Sequence, residues 1–128
     1  GEDQSLMRTM LLPGMLDSLR RNVARKTGWG RFFEVGNCHI DNNPDLPEER
    51  KMLGIILADE KDDFFTLKGT LEALAEDFNT ALEVKAGGEE FFQPGRKALI
   101  YADGETIGEM GALHPDVLKA WDIGTAAY

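Results

Sequence analysis

Apolar positions follow two rhythms along this chain, and the changes between them mark out its elements. Met15, Leu16, Leu19 and Val23 recur at helical spacing, which predicts a helix over residues 13–26 with Pro13 in its first turn and Thr27-Gly28 as its stop. Residues 31–40 then alternate, with Phe33 and Val35 on one face and Phe32, Glu34 and Cys38 on the other, as in a strand. The Asn-, Pro- and Asp-rich residues 41–49 read as a loop. Residues 51–58 carry Met52, Leu53, Ile55, Ile56 and Leu57 almost without interruption, the pattern of a central strand buried on both faces. A charged turn over 59–63 leads to a second helix, which Asp63 or Thr66 can cap. Leu67, Leu71, Leu74 and Phe78 give that helix one apolar stripe.

A short strand is expected at 81–85, a loop at 86–90, and then a hairpin closed by Asp103-Gly104. That dipeptide suits a type I′ turn, which needs positive φ at both central positions. Counting outward sets Tyr101 opposite Thr106, Ile100 opposite Ile107 and Leu99 opposite Gly108, with Gly111 ending the pattern. His114-Pro115 opens a last short helix, since proline loses nothing in a first turn. Helix, strands, helix, strands and helix, joined by short links, predict an α+β fold: a mainly antiparallel sheet flanked by helices.

Composition changes this picture little, and charge changes it more. The 128 residues carry a formal net charge of −9, which argues against a general nucleic-acid-binding surface. No apolar run approaches the roughly 20 residues that span a bilayer, so no membrane partner is expected. Cys38 is the single cysteine; no internal disulfide can form, and a small core residue is the plainer reading of it than a nucleophile. The cations Arg8, Arg20, Arg21, Arg25, Lys26 and Arg31 gather in the N-terminal third against only Asp17 and Glu34. A solvated helix face explains them, and contact with an anionic partner through Arg20, Arg21, Arg25 and Lys26 is the sharper alternative.

Candidate chemistry is thin. His39, Asp41 and the distant His114 lack the paired spacings of a zinc site. Ser5 and Ser18 lie in an N-terminal tail and on a helix, where no hydrolytic triad is indicated. The glycines around Gly28 and Gly108 form neither a phosphate loop nor a dinucleotide fingerprint, and the acids over 59–63 lack EF-hand spacing. No catalytic, metal-binding or cofactor-binding residue is expected.

Three ordered strings carry a resemblance. They are Met7-Arg8-Thr9-Met10-Leu11-Leu12-Pro13-Gly14-Met15-Leu16 with Phe33-Glu34-Val35-Gly36; Asp63-Phe64-Phe65-Thr66-Leu67-Lys68-Gly69; and the run from Phe91-Phe92-Gln93-Pro94-Gly95-Arg96 through Gly111-Ala112-Leu113-His114-Pro115. Together they resemble the β subunits of bacterial phenylalanyl-tRNA synthetase, from about Arg8 to Ile123. The resemblance implies a domain like the class II aminoacyl-tRNA synthetase catalytic core, itself non-catalytic. It would support an α subunit in a cytoplasmic (αβ)₂ ligase that joins phenylalanine to tRNA(Phe), with ATP and magnesium held by α. A residual small-ligand site, with Arg31, Glu34 and His39 as its candidates, or a tRNA-contacting module is the alternative.

Class II enzymes hold the ATP α-phosphate with an arginine two residues before a glutamate. Here Phe32 stands two before Glu34, and Arg31, one position further back, falls on the opposite strand face. Where the family commonly has His-Pro-Gly-Arg, this chain has Gln93, which cannot titrate near neutrality. The resemblance also frames the chain as an excised piece: residues 1–7 as a scar and flexible segment, 8–128 as one domain truncated at both ends. Surface once covered by a neighbour should then stay apolar, with Met10, Phe91, Phe92 and Trp121 as candidates for subunit contact.

Overall fold

The computed structural model describes residues 10–24, 30–40, 45 and 48–128. Among the described residues it is α+β, with three helices and five strands in the order α1 (Leu12–Ala24), β1 (Arg31–Ile40), β2 (Glu48–Leu57), α2 (Phe64–Asp77), β3 (Leu82–Ala86), β4 (Phe92–Ala102), β5 (Glu105–Leu113) and α3 (Pro115–Ala120). The chain forms two compact units, residues 1–56 and 57–128.

In the first unit, Met15, Leu16 and Leu19 of α1 are buried, as their spacing predicts, whereas Val23 reaches solvent. The strands β1 and β2 pair in a two-stranded sheet. A Cβ at Gly54 would strike the Met15 sulfur and touch Leu11, so this side of β2 lies against α1 and glycine is what the approach leaves room for. The expected central strand is corrected in two ways. It starts at Glu48, three residues earlier than predicted, and it is not buried on both faces: only its C-terminal end, Ile56 and Leu57, is covered. In a sheet of two strands, pairing with β1 recruits Arg50 and the polar Glu48-Glu49 pair that the sequence pattern assigns to a loop.

The second unit packs α2 over a three-stranded antiparallel sheet of order β3-β4-β5. Leu71 of α2 faces Leu82, Val84, Ile100 and Met110 across a cavity of about 160 Å³, with Lys68 and Glu72 completing its wall. The predicted stripe loses its last member, because α2 ends at Asp77 and Phe78 is the exposed C-cap residue. Both central residues of the β4–β5 turn have positive φ, Asp103 at 52° and Gly104 at 79°, and Tyr101 does face Thr106. The predicted register then breaks at a bulge: Ile100 pairs with Gly108 and Leu99 with Glu109, and Ile107 is the extra, exposed residue. One inserted residue swaps the faces that follow. It brings Met110 opposite Ala98, both buried, where the unbulged count would have set Glu109.

Nor does Gly111 end the strand, which runs on to Leu113. The C-terminal residues extend the backbone pairing within this unit. Leu57 and Tyr128 exchange two hydrogen bonds of 2.9 Å, and the Leu113 N–H donates to the Ala127 carbonyl at 2.9 Å.

At the start of α2 the sequence reading holds. Asp63 is the N-cap and forms a reciprocal capping box with Thr66; the Thr66 N–H donates to Asp63 Oδ1 at 2.8 Å. The Thr66 N–H and hydroxyl, which favour the ionised carboxylate, hold the Asp63 pKa below the ordinary 3.8. A lowered folded-state pKa stabilises above the unfolded value and is lost as pH falls through the folded one. Asp63→Ala should therefore lower the thermal midpoint at neutral pH, and the gap to the parent should close as pH drops below 3.8. A gap that stays constant through this window would disprove the linkage.

Candidate subunit interface

The side chains that stand out in the first unit are apolar and exposed. Burial along β1 alternates strictly from Arg31 to Cys38: residues 31, 33, 35 and 37 lie outward and 32, 34, 36 and 38 inward. Phe33 is 72% exposed and Val35 54%. On β2, Leu53 is 43% exposed and adjoins Gly54, whose own direction is toward α1, so Leu53 points away from the helix. A phenyl ring, an isopropyl group and an isobutyl group thus stand in water on one small sheet. Exposed apolar side chains of this size favour cover by another apolar surface.

The same alternation separates Arg31 from Glu34. Arg31 shares the outward side with Phe33 and Val35, and Glu34 lies on the inward side. His39 is five positions beyond Glu34, about 16 Å along an extended strand; its Nε2 sits 3.5 Å from Glu49 Oε1, and its buried Nδ1 has no hydrogen-bond partner among the described residues. These three candidates for a residual ligand site therefore do not converge. Arg31 and Glu34 fall on opposite sides of this strand. Among the described residues, no group of three His, Cys, Asp or Glu gathers around a metal position. Cys38 is fully buried, a core residue.

The basic candidates are split. Asp17 takes Arg20 at 2.6 Å and Arg21 at 3.4 Å, and the Arg20 hydrogen bond leads the causes that hold the Asp17 carboxyl below its ordinary range. Two of the four cations are thus already engaged by a carboxylate on their own helix. Arg25 and Lys26 lie outside the described residues.

The four residues proposed for subunit contact sit in different surroundings. Met10 is partly exposed at the entry to α1. Phe92 is buried in the second unit, its ring edge-on to Phe91 with centroids 4.7 Å apart, and so belongs to the core of that unit. Phe91 is half-buried, and so is Trp121, the C-cap of α3. Gln93 donates from Nε2 to the Leu113 carbonyl at 3.1 Å. It ties β4 to β5 as an amide can and has no need of a proton equilibrium. His114 caps α3 by accepting the Asp116 N–H at Nδ1.

Phe33 and Val35 were placed on one strand face by the sequence, but which face lacks cover was not readable there. Period two identifies two sides and says nothing of what lies on each.

The family model described as "Phenylalanyl tRNA synthetase beta chain CLM domain" matches residues 1–128. The phenylalanine–tRNA ligase β subunit of Clostridium tetani is 40% identical over 132 residues, covering 100% of this chain and 17% of that protein. The corresponding subunit of Xanthomonas campestris pv. campestris is 38% identical over 131 residues, with 93% and 17% covered. That of Syntrophotalea carbinolica is 35% identical over 141 residues, with 99% and 18% covered. The chain therefore spans under a fifth of the length of these relatives.

Proposed function

The chain belongs to the phenylalanyl-tRNA synthetase β-chain CLM-domain family, and on that premise we propose that it is a non-catalytic interface module supporting a catalytic α subunit. In this reading it is a class II-like core without working chemistry. The α subunit binds ATP and magnesium and joins phenylalanine to tRNA(Phe) in the cytoplasm, and this module supplies surface.

The observation that carries the proposal is the alternation along β1. It points Arg31 away from the Glu34 side and leaves Phe33 and Val35 in water. A strand at the heart of an ATP site would expose a cationic and acidic pair on one side, because phosphate recognition needs fixed N–H donors and carboxylates that position metal or base. This strand exposes apolar surface beside its arginine. What such a side does well is exclude water against another protein.

Two measurements test the reading together. Co-expressed with its cognate α subunit, the chain should co-purify with it through gel filtration. Titrated alone with ATP in a calorimeter, it should give no binding heat at nucleotide concentrations up to about 1 mM. Submillimolar ATP binding by the isolated chain would refute the non-catalytic reading, and failure to co-purify would refute the interface.

A further inference from the structure

The order β3-β4-β5 leaves β3 with one partner. Among the described residues, nothing pairs with its outer side, so that row of N–H and C=O groups is a template for another strand. The strand reads Leu82-Glu83-Val84-Lys85-Ala86. Its apolar members, Leu82 and Val84, line the cavity beneath α2. Its charged members, Glu83 and Lys85, share the other face, where the Lys85 ammonium sits 4.6 Å from the Tyr101 ring centroid.

The charges decide which strand this edge accepts. When two copies of one edge pair antiparallel, outward-facing groups must meet outward-facing groups, so the two-fold axis passes through a single residue position. Centred on Glu83, the pairing opposes two carboxylates. Centred on Lys85, it opposes two ammonium groups, and like charges directly opposite are destabilising. Centred on Val84, it sets Glu83 against Lys85 of the second copy and Lys85 against Glu83, with Val84 on Val84 and Leu82 on Ala86. This register holds whichever parity of β3 residues carries the outward hydrogen bonds. The sequence of the strand is thus self-complementary in one register and self-repelling in the two beside it.

We propose that β3 is a homotypic pairing edge: two copies of the chain join antiparallel through Leu82–Ala86 about a two-fold at Val84, continuing the sheet from one copy into the other. The proposal is independent of the α-subunit interface, which was placed on β1 and β2. Five residues a side cover less than the roughly 1,200 Å² typical of stable complexes. The pairing is therefore weak and concentration-dependent.

Sedimentation velocity over a concentration series tests it with two exposed-site variants, Glu83→Lys and Lys85→Glu. The parent should show a reversible monomer–dimer shift. Each variant alone should associate about tenfold more weakly or worse, since both cross-strand pairs become like-charged. An equimolar mixture of the two should recover association, because the lysine introduced at position 83 of one variant then meets the glutamate introduced at position 85 of the other. The double variant Glu83→Lys/Lys85→Glu should recover it too. A parent that stays monomeric at concentrations up to about 1 mM, a single variant that dimerises like the parent, or a mixture without recovery would each overturn the proposal. Matching thermal melts of the variants and parent confirm that the fold is intact at these surface positions.

Discussion

Gly111→Val should cost the second unit about 3 kcal/mol, and Gly111→Ala about 2 kcal/mol, the range for forcing carbon into a packed site. A Cβ at this position would lie 2.8 Å from Phe92 Cγ and 2.9 Å from the Arg96 carbonyl oxygen. The ring is itself buried and edge-on to Phe91, and the carbonyl belongs to the backbone of β4, so neither neighbour can swing aside cheaply. The sign of the alanine variant is decisive, because elsewhere in a strand or helix the same change stabilises by reducing the freedom of the unfolded chain. Gly69, in the middle of α2, has nothing within 4 Å of its would-be Cβ, and Gly69→Ala should gain about 1 kcal/mol. Urea unfolding of both variants, with unchanged slope, reads the two effects against each other. A Gly111→Ala variant at least as stable as the parent would show that β4 and β5 are not in the close contact described.

That contact also explains what the sequence could not show. Gly111 reads from its neighbours as a strand terminator, since glycine usually punctuates. Its reason for being glycine lies on another strand, in a ring and a carbonyl that no local pattern contains. Ile107 is a second case. The Asp103-Gly104 turn announces the hairpin correctly, and counting from it is sound until a bulge inserts one residue. The signal for the bulge is present but indirect: without it, Glu109 rather than Met110 would have faced the buried Ala98. Elements governed by local chemistry were legible, among them the helix cap at Asp63, the His114-Pro115 helix start and the Met15-Leu16-Leu19 stripe.

Where tertiary pairing decides, propensity misleads. The charged Glu48-Glu49-Arg50 stretch becomes strand through β1, and Phe78 leaves its stripe when α2 stops one residue short of it. For the site, the offset between Arg31 and Glu34 was readable because strand alternation is rigid. The exposure of Phe33 and Val35 was not, because cover is a property of neighbours rather than of the strand.

That exposure supports the second large effect. Phe33→Asp should weaken binding to the cognate α subunit by about 2 kcal/mol or more, about thirtyfold, the scale of an aromatic anchor removed from an interface. It should leave the melting temperature of the free chain close to that of the parent, because the ring is 72% exposed there and makes little of the core. The loss combines two causes. The buried phenyl area no longer contributes, and a carboxylate would have to be desolvated against an apolar partner. Phe65, 74% exposed on α2 in the other unit, provides the control, since Phe65→Asp removes an equally exposed ring from a surface with no assigned partner. Calorimetric titration of α with each variant separates the outcomes. Loss at Phe33 alone, repeated at Val35→Asp, fits a docking side on β1. Equal loss at Phe33 and Phe65 would mean that α responds to general stickiness, and unchanged binding at Phe33 would place the α contact on another surface of the chain.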